Sequence, residues 1–274
     1  AWTGQFPMEA FASGHLTKIT LLHTNDVHSR LDPFPSTDKK WAGLGGVARR
    51  ASLINQIRKE EKNVLLFDAG DMFQGTPYFN MYHGEPEILA MNQMRYDAGT
   101  IGNHEFDLGI DNLALQLSKA DFPILNANYD FSKTSMKGVC KPYKIFHVNG
   151  IKIGVFGLGV QLYGLVPSEA FGKTKYIDAL QKGLEISKEL KIQKACDMVI
   201  CLSHLGYEYH YEKVSDLVLA RDSEHIDVII GGHTHTFLDT PTLIKNKIEK
   251  TVVINQVGWG GIRLGRLDYF FSSK

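Results

Sequence analysis

Short apolar runs alternate along the chain with stretches whose apolar residues recur every three or four positions. Runs of the first kind predict buried strands, and stretches of the second kind predict amphipathic helices. Strands are predicted over 18–24, 64–69, 124–128, 198–202, 227–230, 252–255 and 262–271, with a further strand ending at Ile101. Helices are predicted over 46–60, 85–94, 110–120, 177–195 and 212–220. This alternation predicts an α/β fold with a parallel core sheet covered by helices.

The remaining segments are a predicted hairpin and two long stretches without a helix or strand pattern. Strands predicted over 143–148 and 151–155 flank Asn149-Gly150, a dipeptide typical of a tight β-hairpin turn. The hairpin and the C-terminal strands add antiparallel edges to the sheet. The segments 29–44 and 161–175 fit neither pattern, and long loops in a compact domain are usually functional or disordered. Their aromatic residues either offer a stacking surface or pack locally: Phe34, Trp41, Tyr163 and Phe171.

Composition and charge narrow the class of protein. The chain has 274 residues, of which 43% are hydrophobic and 22% charged, so a disordered chain is excluded. Thirty basic residues balance thirty acidic ones, which argues against a nucleic acid duplex or an anionic membrane as the main partner. No apolar run approaches the ~18 residues of a membrane span. The absence of linkers and repeats predicts one domain over 1–274, with 1–17 as an N-terminal extension.

The first residue and the cysteines say less about the class of protein. The first residue is alanine, which predicts that a leader has been removed. The three cysteines have neither metal-ligand nor redox spacing, so we expect small buried hydrophobic side chains at Cys140, Cys196 and Cys201.

Polar residues able to bind metals follow the predicted strands. Taken singly, an aspartate at such a place is more often a turn or helix cap, and a lone histidine is usually satisfied within the fold. Because the carboxyl ends of parallel strands meet at one edge, where ligands bind in open α/β sheets, we expect these side chains to lie together. They are Asp26 and His28 after 18–24, Asp71 after 64–69, Asn103 after the strand ending at Ile101, His204 after 198–202, and His233 and His235 after 227–230.

These side chains predict a dinuclear metal site. Carboxylate, amide and imidazole ligands without thiolate suit Mn, Fe or Zn. Their number exceeds what one tetrahedral site uses, and it suits two ions about 3.5–4 Å apart, as in phosphatases. Asp71 is a carboxylate that could bridge the pair.

Two further residues stand beside the predicted ligands. His104 follows Asn103 directly, and a protonated imidazole there could donate to a leaving oxygen. Asp107 comes three residues later and could orient that ring. Aspartate also favours the cap of a helix such as the one predicted from Ile110, and the two roles are compatible.

The motifs resemble the signature of calcineurin-like metallophosphoesterases. The fuller strings resemble the catalytic domain of the 5′-nucleotidase family over roughly 18–268: LLHTNDVHSR, GDMFQGTPYF, GNHEFDLG, NAN, SHLG and GGHTHT. The resemblance implies a four-layer α/β/β/α sandwich of mixed sheets. It implies one metal on Asp26, His28, Asp71 and His235, and a second on Asp71, Asn103, His204 and His233. A hydroxide shared by the metals would be the nucleophile, with His104 and Asp107 as the catalytic pair.

The implied activity is hydrolysis of nucleotides by a 5′-nucleotidase-like phosphatase. The alternatives are a broad-specificity phosphomonoesterase, a 2′,3′-cyclic nucleotide phosphodiesterase and, outside enzymes, a non-catalytic metal-binding regulatory domain. Family nucleotidases often carry a second domain that clamps the nucleobase, and we expect no such domain after the last predicted strand. A clamp on a separate polypeptide is one explanation. The resemblance also implies export to a periplasm or cell surface.

Overall fold

A computed structural model describes residues 16–211 and 213–272, which form two six-stranded mixed sheets with helices on both outer faces. The strands are β1 (Leu16–Thr24), β2 (Val64–Asp68), β3 (Ala98–Gly99), β4 (Ile124–Leu125), β5 (Tyr129–Asp130), β6 (Cys140–Lys141), β7 (Tyr143–Val148), β8 (Ile151–Gly159), β9 (Lys175–Tyr176), β10 (Met198–His204), β11 (Val228–Gly231), β12 (Thr242–Lys245), β13 (Thr251–Asn255) and β14 (Gly265–Ser272). The helices are α1 (Val47–Glu60), α2 (Pro77–Tyr82), α3 (Glu85–Met94), α4 (Gly109–Leu117), α5 (Ser168–Phe171), α6 (Ala179–Lys188) and α7 (Asp216–Asp222).

Both large sheets are parallel in the middle, and antiparallel strands lie at one edge of the first sheet and at both edges of the second. The first has the order β14-β1-β2-β3-β4-β6, with β14 antiparallel to β1. The second has the order β12-β13-β11-β10-β8-β7, with β12 and β7 antiparallel to their neighbours. A separate antiparallel ribbon pairs β5 with β9. Because the central strands of both sheets run parallel, each sheet presents a set of carboxyl ends at one edge.

Alternation along the central strands builds the layers. In β1, Leu21 lies in the cluster shared by the two sheets, whereas Leu22 packs with the helical layer that includes Ile54. In the second sheet, Ile200 joins the cluster between the sheets and Val199 joins the opposite helical layer. Successive side chains of a strand point to opposite faces, so strands buried on both faces read as continuous apolar runs. The predicted four-layer α/β/β/α sandwich is confirmed.

Several predicted elements differ from the structure in their bounds. The strand predicted to end at Ile101 ends at Gly99, and the strand predicted over 262–271 begins at Gly265. The segment 124–128 is a strand only to Leu125, because the Asn126 side chain accepts from the N–H groups of Asn128 and Tyr129 and turns the chain. The predicted helix 177–195 begins at Ala179, capped by Asp178, and its last turn widens to a π-helix over Glu189–Gln193. The predicted helix 212–220 is shifted to α7, which Ser215 caps. Residue 212 lies outside the described residues.

Other expectations concern the hairpin, the N-terminal extension, the cysteines and membrane-spanning helices. Asn149-Gly150 joins β7 to β8, and both residues have positive φ, as a tight hairpin turn requires. The predicted extension 1–17 falls mostly outside the described residues, but its last two residues belong to β1. Cys196 and Cys201 are buried and Cys140 is half-buried, all three as free thiols. In the part of the chain described, no helix combines the length and apolar character needed to cross a bilayer.

Candidate metal centre

Six of the seven predicted ligands meet where strands of both sheets end, and Asn103 lies in the loop after β3. Those of the first sheet follow β1, β2 and β3, and those of the second end β10 or follow β11. Two groups of ligand atoms form, each with all its atoms within 4.8 Å of one another. The first comprises Asp26, His28, Asp71 and His235, and the second comprises Asp71, His204 and His233. Asp71 therefore belongs to both groups.

Donor atoms of the first group converge on one point. The Nε2 atoms of His28 and His235 are 3.0 Å apart, and His235 Nε2 lies 3.4 Å from Oδ1 of Asp26. In the second group, His204 Nε2 lies 3.1 Å from Oδ2 of Asp71. Nitrogen and oxygen lone pairs directed at a common point are the arrangement that a cation satisfies.

A buried atom without a partner supports the fit of the donor set to a metal. Asn103 Oδ1 is buried and makes no hydrogen bond among the described residues, and the buried Nε2 of His204 faces the carboxylate of Asp71. A buried polar atom left unpaired costs about 1–3 kcal/mol. Asn103 joins the site through its neighbour, since the backbone N–H of His104 donates to Oδ1 of Asp71 at 2.9 Å.

Two histidines are held with Nε2 as the metal-facing atom. Nδ1 of His28 is 3.2 Å from the carbonyl of Phe73, and Nδ1 of His204 is 2.7 Å from the carbonyl of Ala69. A carbonyl can only accept, so each Nδ1 carries the donated proton. Such outer hydrogen bonds fix the tautomer of metal-binding histidines. The Nε2 lone pair is consequently available at the site in the neutral ring.

The backbone of the site is strained. Left-handed φ angles occur at five of the seven predicted ligands: Asp26 (50°), His28 (51°), Asp71 (55°), His233 (73°) and His235 (52°). Residues other than glycine seldom adopt this conformation, and it costs of order 1–3 kcal/mol each. Such strain clusters at functional sites. Sequence patterns carry only a weak signal for it, because aspartate and histidine adopt this conformation more often than most other non-glycine residues.

Glu105 is a functional residue to which sequence analysis assigns no role. Its buried carboxylate accepts from the backbone N–H groups of Asp71 at 2.9 Å, Phe73 at 3.1 Å and Gly102 at 2.6 Å. It thereby ties the loop after β2 to the loop after β3. The sequence signal that could have identified Glu105 is its place directly after Asn103-His104 in the string GNHE. Burial, followed by repulsion from Asp71, raises the pKa of Glu105 to about 8.

Electrostatics prepare most of the ligands for a cation. Burial would raise the pKa of Asp71, but attraction to His204 and other histidines outweighs it and lowers that pKa well below its usual range. Burial lowers the pKa of His28, and it lowers the pKa of His233 to about 4. At neutral pH Asp71 is therefore ionised and these two rings are neutral. Burial opposes charge on His204 as well, but Asp71 and then Asp26 raise its pKa to about 10.

His104 and Asp107 form a pair at the side of the ligand cluster. Nδ1 of His104 lies 2.8 Å from Oδ2 of Asp107, and the two side chains are 38% and 27% exposed. The His104 ring is 5.3 Å from that of His28. The hydrogen bond to Asp107 is the main cause that raises the pKa of His104 to about 9. The N-cap of α4 is Leu108, and no side chain caps that helix, so the carboxylate of Asp107 serves the histidine.

The aromatic residues of the long loops mostly pack locally. Phe34 is 4% exposed, Trp41 stacks on Phe237 at 5.3 Å, and Phe171 packs against the helical core. Tyr163 is 81% exposed.

Comparisons with known proteins agree with this site. Residues 19–237 match the family described as calcineurin-like phosphoesterase. A snake venom 5′-nucleotidase of Naja atra is 38% identical over 240 residues, which cover 84% of this chain and 44% of that protein. The structure of a 5′-nucleotidase precursor from Thermus thermophilus has a TM-score of 0.81 and 36% identity, covering 92% of this chain and 51% of that one. NAD nucleotidase of Haemophilus influenzae has a TM-score of 0.84 and 30% identity, covering 94% and 48%. The chain thus spans about half the length of these proteins.

Proposed function

This chain belongs to the calcineurin-like phosphoesterase family, and on that premise we propose that it hydrolyses phosphoesters of nucleotides with the help of two divalent metal ions. The observation that carries the proposal is the membership of Asp71 in both groups of ligand atoms. A carboxylate shared by two groups is what a pair of adjacent ions requires.

The proposed ligands divide between the two ions. Their oxygen and imidazole donors suit Mn, Zn or Fe. When bound, the ions supply charge that stabilises the phosphoryl oxygens and lowers the pKa of bound water. One ion is assigned to Asp26, His28, Asp71 and His235, and the other to Asp71, Asn103, His204 and His233.

His104 is proposed to protonate the leaving oxygen. Its pKa of about 9 keeps the ring protonated at neutral pH. Nδ1 is engaged by Asp107, so the proton on Nε2 remains available to a substrate oxygen. Asp107 acts through His104, holding the ring orientation and the charge, and is a positioning residue.

We also propose that the two sheets form one catalytic unit. Asp26, Asp71 and Asn103 belong to the first sheet or the loops that follow its strands. The other two proposed ligands of the second ion are imidazoles, and both belong to the second sheet or the loops that follow its strands. Neither sheet holds a complete set of ligands for that ion. A single domain therefore accounts for the site.

The class of substrate rests on the relatives. Two are 5′-nucleotidases by name and the third is an NAD nucleotidase, so a nucleotide is favoured over other phosphoesters. A broad-specificity phosphomonoesterase and a cyclic nucleotide phosphodiesterase are the alternatives that a substrate panel separates. Export is proposed because one relative is a venom protein. A nucleobase clamp on a separate polypeptide stays a prediction.

Metal counting and turnover together test the proposal. Protein reconstituted with Mn²⁺ should hold about two ions per chain and hydrolyse AMP faster than bis-p-nitrophenyl phosphate. Asp71→Asn should weaken the binding of both ions and lower turnover by more than about 10²-fold, because both groups share this residue. Asp121→Asn is the matched control, since Asp121 is exposed and precedes β4, at the opposite edge of the sheet.

Two results would contradict the proposal in different ways. Saturation at one ion per chain would refute the paired site. Two bound ions without turnover of any phosphoester would indicate a non-catalytic metal-binding domain.

A further inference from the structure

The indole of Trp259 lies flat against the imidazole of His235. Their ring centroids are 5.9 Å apart and their planes differ by 14°. The indole also meets Phe34 edge-on, with centroids 5.3 Å apart at 88°. Both arrangements are favoured geometries of aromatic pairs. Trp259 therefore stands between a proposed metal ligand and the long loop that contains Phe34.

His235 lacks the backbone hydrogen bond that His28 and His204 have. Nδ1 of His28 and of His204 is bound by a backbone carbonyl. Among residues 16–211 and 213–272, no carbonyl or carboxylate is hydrogen-bonded to Nδ1 of His235. Its side chain is 39% exposed, against 9% for His28 and 0% for His204. An exposed ring without such a bond has several rotamers open to it.

Trp259 is itself fixed to the loop that carries Asp26. The N–H of Gly260 donates to the carbonyl of Asp26 at 2.7 Å. The side-chain amide of Asn25 donates to the carbonyl of Gly258 at 2.6 Å. These bonds flank the tryptophan on both sides in sequence. The indole is thus held in register with the loop whose carboxylate lies 3.4 Å from His235 Nε2.

We propose that Trp259 is a positioning residue for His235, holding the imidazole plane by stacking where His28 and His204 are held by hydrogen bonds. The stacking directs Nε2 of His235 to the point that it shares with Nε2 of His28, 3.0 Å away. Phe34, 4% exposed, packs edge-on against the same indole. This inference rests on the proposed function, because it takes His235 as a ligand of one ion.

The expected effect is confined to one ion. Loss of an outer contact that orients a metal ligand typically costs 10–100-fold in metal affinity. Trp259→Ala should therefore weaken one of the two Mn²⁺ sites 10–100-fold, and the other site should keep its affinity. Trp259→Phe keeps a ring in place and should restore the affinity to within about threefold. Trp41→Ala is the matched control, since Trp41 stacks on Phe237 and on no proposed ligand.

A double-mutant cycle separates positioning from a general structural role. Mn²⁺ affinities are measured by titration with electron paramagnetic resonance detection of the free ion. If Trp259 acts through His235, Trp259→Ala causes no further loss in the His235→Ala background. A merely structural tryptophan would weaken binding equally in both backgrounds.

A second measurement covers the case in which Trp259→Ala fails to fold. Mn²⁺ is paramagnetic, so its binding beside the stacked indole should quench tryptophan fluorescence in the wild type. The quenching should be lost in Trp259→Phe. Wild-type protein that binds two ions without quenching, or a cycle with additive losses, would overturn this inference and leave the proposed function standing. Wild-type protein that binds fewer than two ions would instead overturn the proposed function.

Discussion

The left-handed backbone of the metal centre can be tested at His235 with two substitutions that differ by one methyl group. His235→Ala and His235→Gly both remove the imidazole and its contact with Trp259. Only alanine keeps a Cβ atom at φ 52°. Comparing the two in metal-free protein therefore isolates the backbone strain from every effect of the lost ligand.

The magnitude follows from two opposing costs. A Cβ atom in the left-handed region costs about 1–2 kcal/mol. Glycine gains freedom in the unfolded chain, which usually favours alanine by about 0.4–1 kcal/mol. The difference predicts that His235→Gly has the larger free energy of unfolding, by about 0.5–1 kcal/mol. Urea unfolding in the presence of a chelator, with the two midpoints compared at a common slope, measures this difference.

Asn103 provides the control pair because it is a proposed ligand with a right-handed backbone, at φ −82° and ψ −32°. There Asn103→Ala should be more stable than Asn103→Gly by about 0.5–1 kcal/mol. The sign of the alanine–glycine difference should thus reverse between the two sites. If alanine is the more stable residue at both, the strain assigned to His235 is absent and the reasoning fails.

Three further predictions concern the site and its surroundings. Gly102→Ala would place a methyl group on the Asp71 carboxylate, so metal analysis should show loss of bound ions and turnover should fall by more than about 10²-fold. Asp107→Asn removes the main cause that raises the pKa of His104, so the alkaline limb of the kcat profile should move from about 9 to lower pH; an unmoved limb would contradict the assigned role. Burial lowers the pKa of His23 to about 4, so the unfolded chain binds more protons below pH ~6.5, and the free energy of unfolding should fall by about 3 kcal/mol between pH 7 and 4. His23→Gln should lose this acid sensitivity in urea titrations at the two pH values.

The sequence predicts elements best where one physical signal dominates. The run VLLFD is buried on both faces, and β2 forms over Val64–Asp68, almost as predicted. Prediction fails where a side chain competes for the backbone, as at Asn126, whose carbonyl oxygen ends a strand that the apolar pattern would continue. Propensity and periodicity count neighbours along the chain. They contain no information on a hydrogen bond by which one side chain turns the backbone.

For the site, the proposed ligands could be predicted from the sequence, whereas the contacts that hold them in place could not. Asp26 and Asp71 could be assigned because each follows an apolar strand, and the carboxyl ends of strands share an edge. The contact between Trp259 and His235 joins residues from different loops, and the stack ends on Phe34, more than two hundred residues earlier. Periodicity holds no information on such contacts.

The strained loops are held because the hydrogen bonds between β1 and β2 continue past the ends of the strands. The N–H groups of Asp26 and His28 donate to the carbonyls of Gly70 and Asp71 at 2.9 and 3.0 Å. Glu105 then binds the N–H of Asp71 from the side of β3. Asp26, His28 and Asp71 are thus fixed by partners on a neighbouring loop, which is the condition under which strain persists in a folded protein.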